Sequence, residues 1–101
     1  MKCLLVLMSK LRESARGQEC QVRLPAICNF DSATTILAHL GGAGIGKKHA
    51  DLHASFCCSS CHSVVDGAVN SKLSKEYIAL SFLQGMVRTQ IIWLKNGNVK
   101  I

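Results

Sequence analysis

Four cysteines set in two pairs constrain this chain more than anything else in it: Cys20 and Cys28 in one half, Cys58 and Cys61 in the other. Four thiolates close a tetrahedral zinc site, and a site built from two separated pairs ties distant segments into one fold. The second pair reads Cys58-Ser59-Ser60-Cys61-His62, the short spacing of a zinc knuckle followed at once by a histidine. The first pair is looser, with seven residues between its members, which suits a loop folded back on a strand. Using Cys57 in place of Cys58 would widen the gap to Cys61 to three residues, so Cys58 is the better ligand. Cys3 and Cys57 read as ordinary thiols.

A chain of 101 residues has room for one core. Hydrophobic residues make up 49% of it but aromatics only 5%, so that core is aliphatic and small and gains from a structural metal. Twelve Lys and Arg against six Asp and Glu give a net charge of +6. Four thiolates and one zinc would lower this to about +4. The balance favours a polyanionic partner, with general solubility as the plain alternative. Six cysteines would also supply a disulfide framework in an oxidising compartment. Against a secretory leader, the apolar run within residues 1–8 is only about six residues, and no small-x-small cleavage site follows it. Met8-Ser9 reads as a natural start. Residues 1–8 are therefore expected to be an N-terminal extension and residues 9–101 a single domain, cytoplasmic, with reduced cysteines. No stretch is long enough to cross a membrane.

Local patterns give an α+β order. Ser9 caps a short charged helix over residues 10–16, stopped by Gly17. Residues 20–24 alternate like a strand until Pro25 breaks it. Residues 34–40 read as a buried strand ending near His39, and residues 51–57 as a second strand leading into the Cys58–Cys61 knuckle. Between them, the glycines from Gly41 to Gly46 resemble a phosphate loop. Lys47 is followed by Lys48, however, where such a loop needs Ser or Thr, so the segment reads as a flexible basic loop whose Lys47 and Lys48 either contact DNA phosphates or are simply solvated. A helix opens at His62 and ends near Gly67. Ser74 caps a long helix to about residue 94, its apolar positions Tyr77, Ile78, Leu80, Phe82, Leu83, Met86, Val87, Ile91 and Trp93 reading as core and Gly85 as a soft spot. Asn96-Gly97 then turns the chain into a short strand over residues 99–101.

A strand ending in histidine, a loop, a second strand and a helix opening with another histidine describe a ββα-metal unit suited to phosphodiester cleavage. A neutral imidazole, His39, removes a proton from water. A divalent metal, magnesium or manganese, held by His62 stabilises charge on the phosphate. On these residues the chain resembles the HNH endonuclease family, whose second half runs from a central Asn through a short apolar strand to Cys-x-x-Cys-His. Here that stretch is Asp51-Leu52-His53-Ala54-Ser55-Phe56-Cys57-Cys58-Ser59-Ser60-Cys61-His62. Further likeness lies in Arg16-Gly17-Gln18-Glu19-Cys20-Gln21-Val22-Arg23-Leu24-Pro25, Leu37-Ala38-His39 and Arg88-Thr89-Gln90-Ile91-Ile92-Trp93-Leu94-Lys95. Over residues 9–101 the chain is similar to the YbcO-like nucleases of lambdoid phages and prophages.

The resemblance implies a small zinc-stapled ββα-metal fold with a long C-terminal helix, acting on DNA in a bacterial host cell. It implies structural zinc on Cys20, Cys28, Cys58 and Cys61, His39 as general base and His62 as ligand of the catalytic metal. Two positions depart from the pattern. Ala38 stands where an Asp or His ligand precedes the base, and Asp51 replaces the central Asn, from where it can orient His39 through a hydrogen bond. Asp66 shares a helix face with His62, four residues on, and is a candidate second metal ligand that offsets Ala38. The missing ligand at Ala38 favours the alternative of a non-catalytic, zinc-stabilised DNA-binding or recombination-accessory module. A homodimer would suit cutting of both strands, though nothing in the sequence demands one.

Overall fold

The computed structural model of the chain describes residues 10–41 and 51–99. Residues 10–14 are helical (α1), with Leu11 and Ala15 buried while Arg12, Glu13 and Arg16 stay exposed. Gly17 turns the chain out of this helix at φ +75, a left-handed geometry that only glycine adopts without strain. After a 3-10 turn at Ser32–Thr34 come strands β1 (Ile36–His39) and β2 (Ala54–Cys57), then helices α2 (Ser59–Val65) and α3 (Lys75–Asn96). The result is a small α+β fold: one two-stranded antiparallel sheet with a long C-terminal helix packed against it.

The strands pair Ile36 with Cys57, Leu37 with Phe56, Ala38 with Ser55 and His39 with Ala54. Successive side chains point to opposite faces, so the sheet separates two cores. Leu37, Ala54 and Phe56 pack with Leu11, Ala15 and Trp93 on one side. Ala38 and Cys57 pack with Cys20, Val22, Leu24, Cys58, Cys61, Val64 and Phe82 on the other. Trp93 meets Phe56 edge to face at 5.8 Å, and its indole N–H donates to the Ser14 hydroxyl, which ties α1 to α3.

Both strands are shorter than their patterns suggest. Residues 34–35 are held by the 3-10 turn, whose cap Asp31 accepts from the Ala33 N–H. Residues 51–52 form a turn because the Asp51 carboxylate is buried among side-chain partners. Residues 20–24, read as a strand, contain none. There the backbone bends so that the Cys20 sulfur can accept the Arg23 N–H, and Arg23 takes a left-handed φ of +53. A single strand-like bond survives, from the Gln21 N–H to the Phe56 carbonyl. The Phe56 N–H on the same edge is capped by the Thr89 hydroxyl, 3.0 Å away. No strand forms at Val99, whose N–H turns back to the Trp93 carbonyl.

Helix α3 follows its capping residues closely. Ser74 accepts from the Tyr77 N–H, and Gly97 at φ +77 donates back to Leu94. Its inner face holds only part of the apolar set read from the pattern, Phe82 and Trp93. Ser81, Phe82, Gly85, Thr89 and Trp93 are buried, whereas Tyr77, Leu80, Leu83, Val87 and Ile91 lie exposed. Gly85 is a contact point rather than a soft spot: a Cβ there would stand 2.7 Å from the Ser55 hydroxyl and 2.9 Å from the Gln21 carbonyl. Small residues on the inner face let the helix lie directly on β2.

Candidate active site and metal centre

The sulfur atoms of Cys20, Cys28, Cys58 and Cys61 all lie within 4.8 Å of one another. Tetrahedral zinc with bonds of about 2.3 Å needs sulfurs about 3.8 Å apart, and Cys28 and Cys58 stand at 3.9 Å. The four residues can therefore hold a metal ion such as zinc. Backbone geometry prepares each half: the Arg23 N–H points at Cys20, and the Cys61 N–H points at Cys58. Burial, reinforced by the neighbouring Cys20 and Cys58, pushes the Cys28 thiol up to about 11. Crowded thiols resist ionising together, and a bound cation removes that obstacle. Cys57 lies beside the cluster rather than in it. The neighbouring Cys20 and then Cys61, with burial behind them, push its thiol far above the ordinary range.

The same knuckle starts α2. Cys58 is the helix N-cap through its sulfur, so the helix begins at Ser59, three residues earlier than the His62 read from the sequence. Asn29 from the other half braces this end by donating to the Ser59 and Ser60 hydroxyls. Consecutive helical residues point about 100° apart. Cys61 therefore turns inward to the sulfur cluster, while His62 turns to an open cleft. One helical turn on, the Asp66 carboxylate stands 3.0 Å from His62 Nε2.

Across the cleft, β1 ends on His39. Asp51 Oδ1 lies 2.5 Å from His39 Nε2. Asp51 is only 1% exposed, and its other oxygen accepts from Arg12 Nε at 3.0 Å. An ionised carboxylate only accepts hydrogen bonds, so this arrangement puts the imidazole proton on Nε2 and leaves the lone pair on Nδ1. His39, His62, Asp66 and Arg12 line one cleft of about 550 Å³, together with Ile36, Leu37, Leu40 and Gly41. The structure thus brings His39 to Asp51 and His62 to Asp66, with His39, His62 and Asp66 lining one cleft and Asp51 buried behind His39. Ala38 is buried against the cysteine side of the sheet and does not line it. Lys47 and Lys48 lie outside the described residues, as does His49. His53 is exposed.

Sequence reasoning missed Arg12. Within a charged surface helix it looks like its neighbours, and only the fold carries α1 to the turn at Asp51, 39 residues away.

Comparison with known proteins identifies the family. The family model described as "Putative nuclease YbcO" matches residues 9–98. Curated proteins of that name from Escherichia coli (strain K12) and Enterobacteria phage 82 are each 45% identical over 96 residues, covering 92% of this chain and 99% of theirs. A solved structure described as a "putative bacteriophage protein" from Escherichia coli K-12 superposes with a TM-score of 0.75 at 43% identity, covering 87% of this chain and 100% of that one. With residues 9–98 matched by the family model and both curated relatives covered almost in full, the chain belongs to the YbcO family, described as "Putative nuclease YbcO".

Proposed function

We propose that this protein is a metal-dependent DNA endonuclease of the HNH type, hydrolysing phosphodiester bonds in phage or prophage recombination or DNA processing. The observation that carries this reading is the convergence of His39–Asp51 and His62–Asp66 on one cleft. Asp51 holds the imidazole so that Nδ1 can accept a proton from water. As the proton arrives, the buried carboxylate stabilises the imidazolium. Arg12 uses Nε to hold Asp51, and its terminal amino groups remain available at the cleft for phosphate oxygens. The order β1, β2, α2 suits a ββα-metal unit, and the net charge of +6 favours DNA.

His62 and Asp66 would hold the divalent cation, magnesium or manganese. Their ligand atoms are 3.0 Å apart, the separation of neighbouring ligands on an octahedral ion with bonds of about 2.1 Å. When bound, such an ion supplies charge stabilisation on the scissile phosphate and the leaving oxygen. Asp66 supplies the carboxylate that Ala38 lacks. The cysteine site, with four thiolates, is closed to substrate and acts as a staple.

The test is cleavage of plasmid and branched DNA by the zinc-loaded chain with magnesium or manganese. Wild type should cut, and His39→Ala should lose at least about 100-fold in rate while still binding DNA. Equal cleavage by both would remove His39 as the base. Binding without cleavage under every metal tried would instead identify a zinc-stabilised DNA-binding or recombination-accessory module.

A further inference from the structure

The outward face of α3 is the largest feature that the cleft leaves unexplained. Tyr77, Leu80, Leu83, Val87, Ile91 and Leu94 are each 41–55% exposed. At 100° per residue these six positions form one stripe directly opposite the buried face of Phe82, Gly85, Thr89 and Trp93. A surface helix ordinarily carries charge there. Between Tyr77 and Leu94 the helix has a single charged residue, Arg88, and its guanidinium is turned to the Gln21 carbonyl on the sheet side. Charge returns only at the two ends of the stripe, as Glu76 and Lys95. A continuous apolar stripe along five turns is a contact surface.

We infer that two copies of this chain associate through α3 packed antiparallel on a twofold axis. The stripe is self-complementary in that direction. Setting Tyr77 against the partner's Leu94 sets Leu80 against the partner's Ile91 and brings Gln84 and Val87 together at the axis. The same register places Glu76 beside the partner's Lys95, and each Lys95 beside a Glu76, so both ends close with opposite charges. A parallel pairing would set Glu76 on Glu76 and Lys95 on Lys95. Closed twofold contacts are isologous, as this one is. The six residues expose about 500 Å² per copy, so their burial removes at most about 1,000 Å² in the pair, and flanking Gln84 and Gln90 extend the contact towards the roughly 1,200 Å² of a small specific interface. A 22-residue helix gives this contact a length of about 33 Å.

Sedimentation equilibrium of the zinc-loaded full chain at micromolar concentration should give twice the 10.9 kDa chain mass. Val87→Glu should yield a monomer with an unchanged far-ultraviolet spectrum. Glu76→Lys and Lys95→Glu should each weaken the dimer about tenfold, and the double exchange should restore it. A wild-type monomer at 100 µM, or a dimer indifferent to Val87→Glu, would overturn the inference. A monomer that Val87→Glu unfolds would mean that this chain covers its own stripe. Failure of the double exchange to restore association would overturn the antiparallel register. None of these readouts depends on DNA cleavage, so the nuclease reading stands or falls separately.

Discussion

Asp51 is where the site is most sensitive to a single atom. Its carboxylate is buried, and its two oxygens engage His39 and Arg12 from segments otherwise far apart in the chain. Asp51→Asn keeps the size and one acceptor oxygen but removes the charge that holds imidazolium. We expect the cleavage rate to fall about 100-fold with DNA affinity and the melting temperature little changed, measured by single-turnover kinetics beside thermal unfolding. A larger loss of stability than of rate would make Asp51 a structural residue alone. His62 and Asp66 could be paired from their helical spacing, because four residues are one turn. Arg12 could not, because its partner is fixed by tertiary contact.

Among the elements, the contact between α3 and β2 sets the depth at which the sheet sits and so the position of His39. Phe56 offers its outer N–H to Thr89, and Thr89 in turn donates to the Gly85 carbonyl at 2.8 Å. Gly85→Ala gains up to about 1 kcal/mol of helix propensity. The added methyl group meets the Gln21 backbone, which cannot move freely while its carbonyl accepts from Arg88 and its N–H is bonded to Phe56. Overpacking of this kind costs about 1–3 kcal/mol. The net outcome should be destabilisation, read as a melting temperature lowered by about 4–8 °C per kcal/mol for a chain of this size. A raised melting temperature would show that the helix can lift away from β2. Helix ends were legible because Ser74 and Gly97 act locally. The inner and outer faces of α3 were not, because small residues at a close contact look polar in a pattern while an exposed apolar stripe looks like core.

For the molecule as a whole, the cysteine cluster joins the segment before β1 to the start of α2. Structural zinc contributes about 10–16 kcal/mol of apparent binding free energy, against a usual domain stability of about 5–15 kcal/mol. Metal analysis should therefore find about one zinc per chain, chelation should unfold the protein cooperatively, and Cys58→Ser should prevent folding. A chelated protein that keeps its circular dichroism would refute the staple. Among the described residues, no helix is long and apolar enough to cross a membrane. By itself the sequence determined the cysteine spacing, the caps of α3 and the strand leading to His39, since these depend on neighbours within a few residues. Only the tertiary structure decided that Arg12 reaches Asp51, that Cys57 stands beside the cluster without joining it, and that half the apolar residues of α3 face outward. Each of those outcomes depends on which distant surface packs against the sheet, and burial of that kind is a property of the assembled core rather than of any local run of residues.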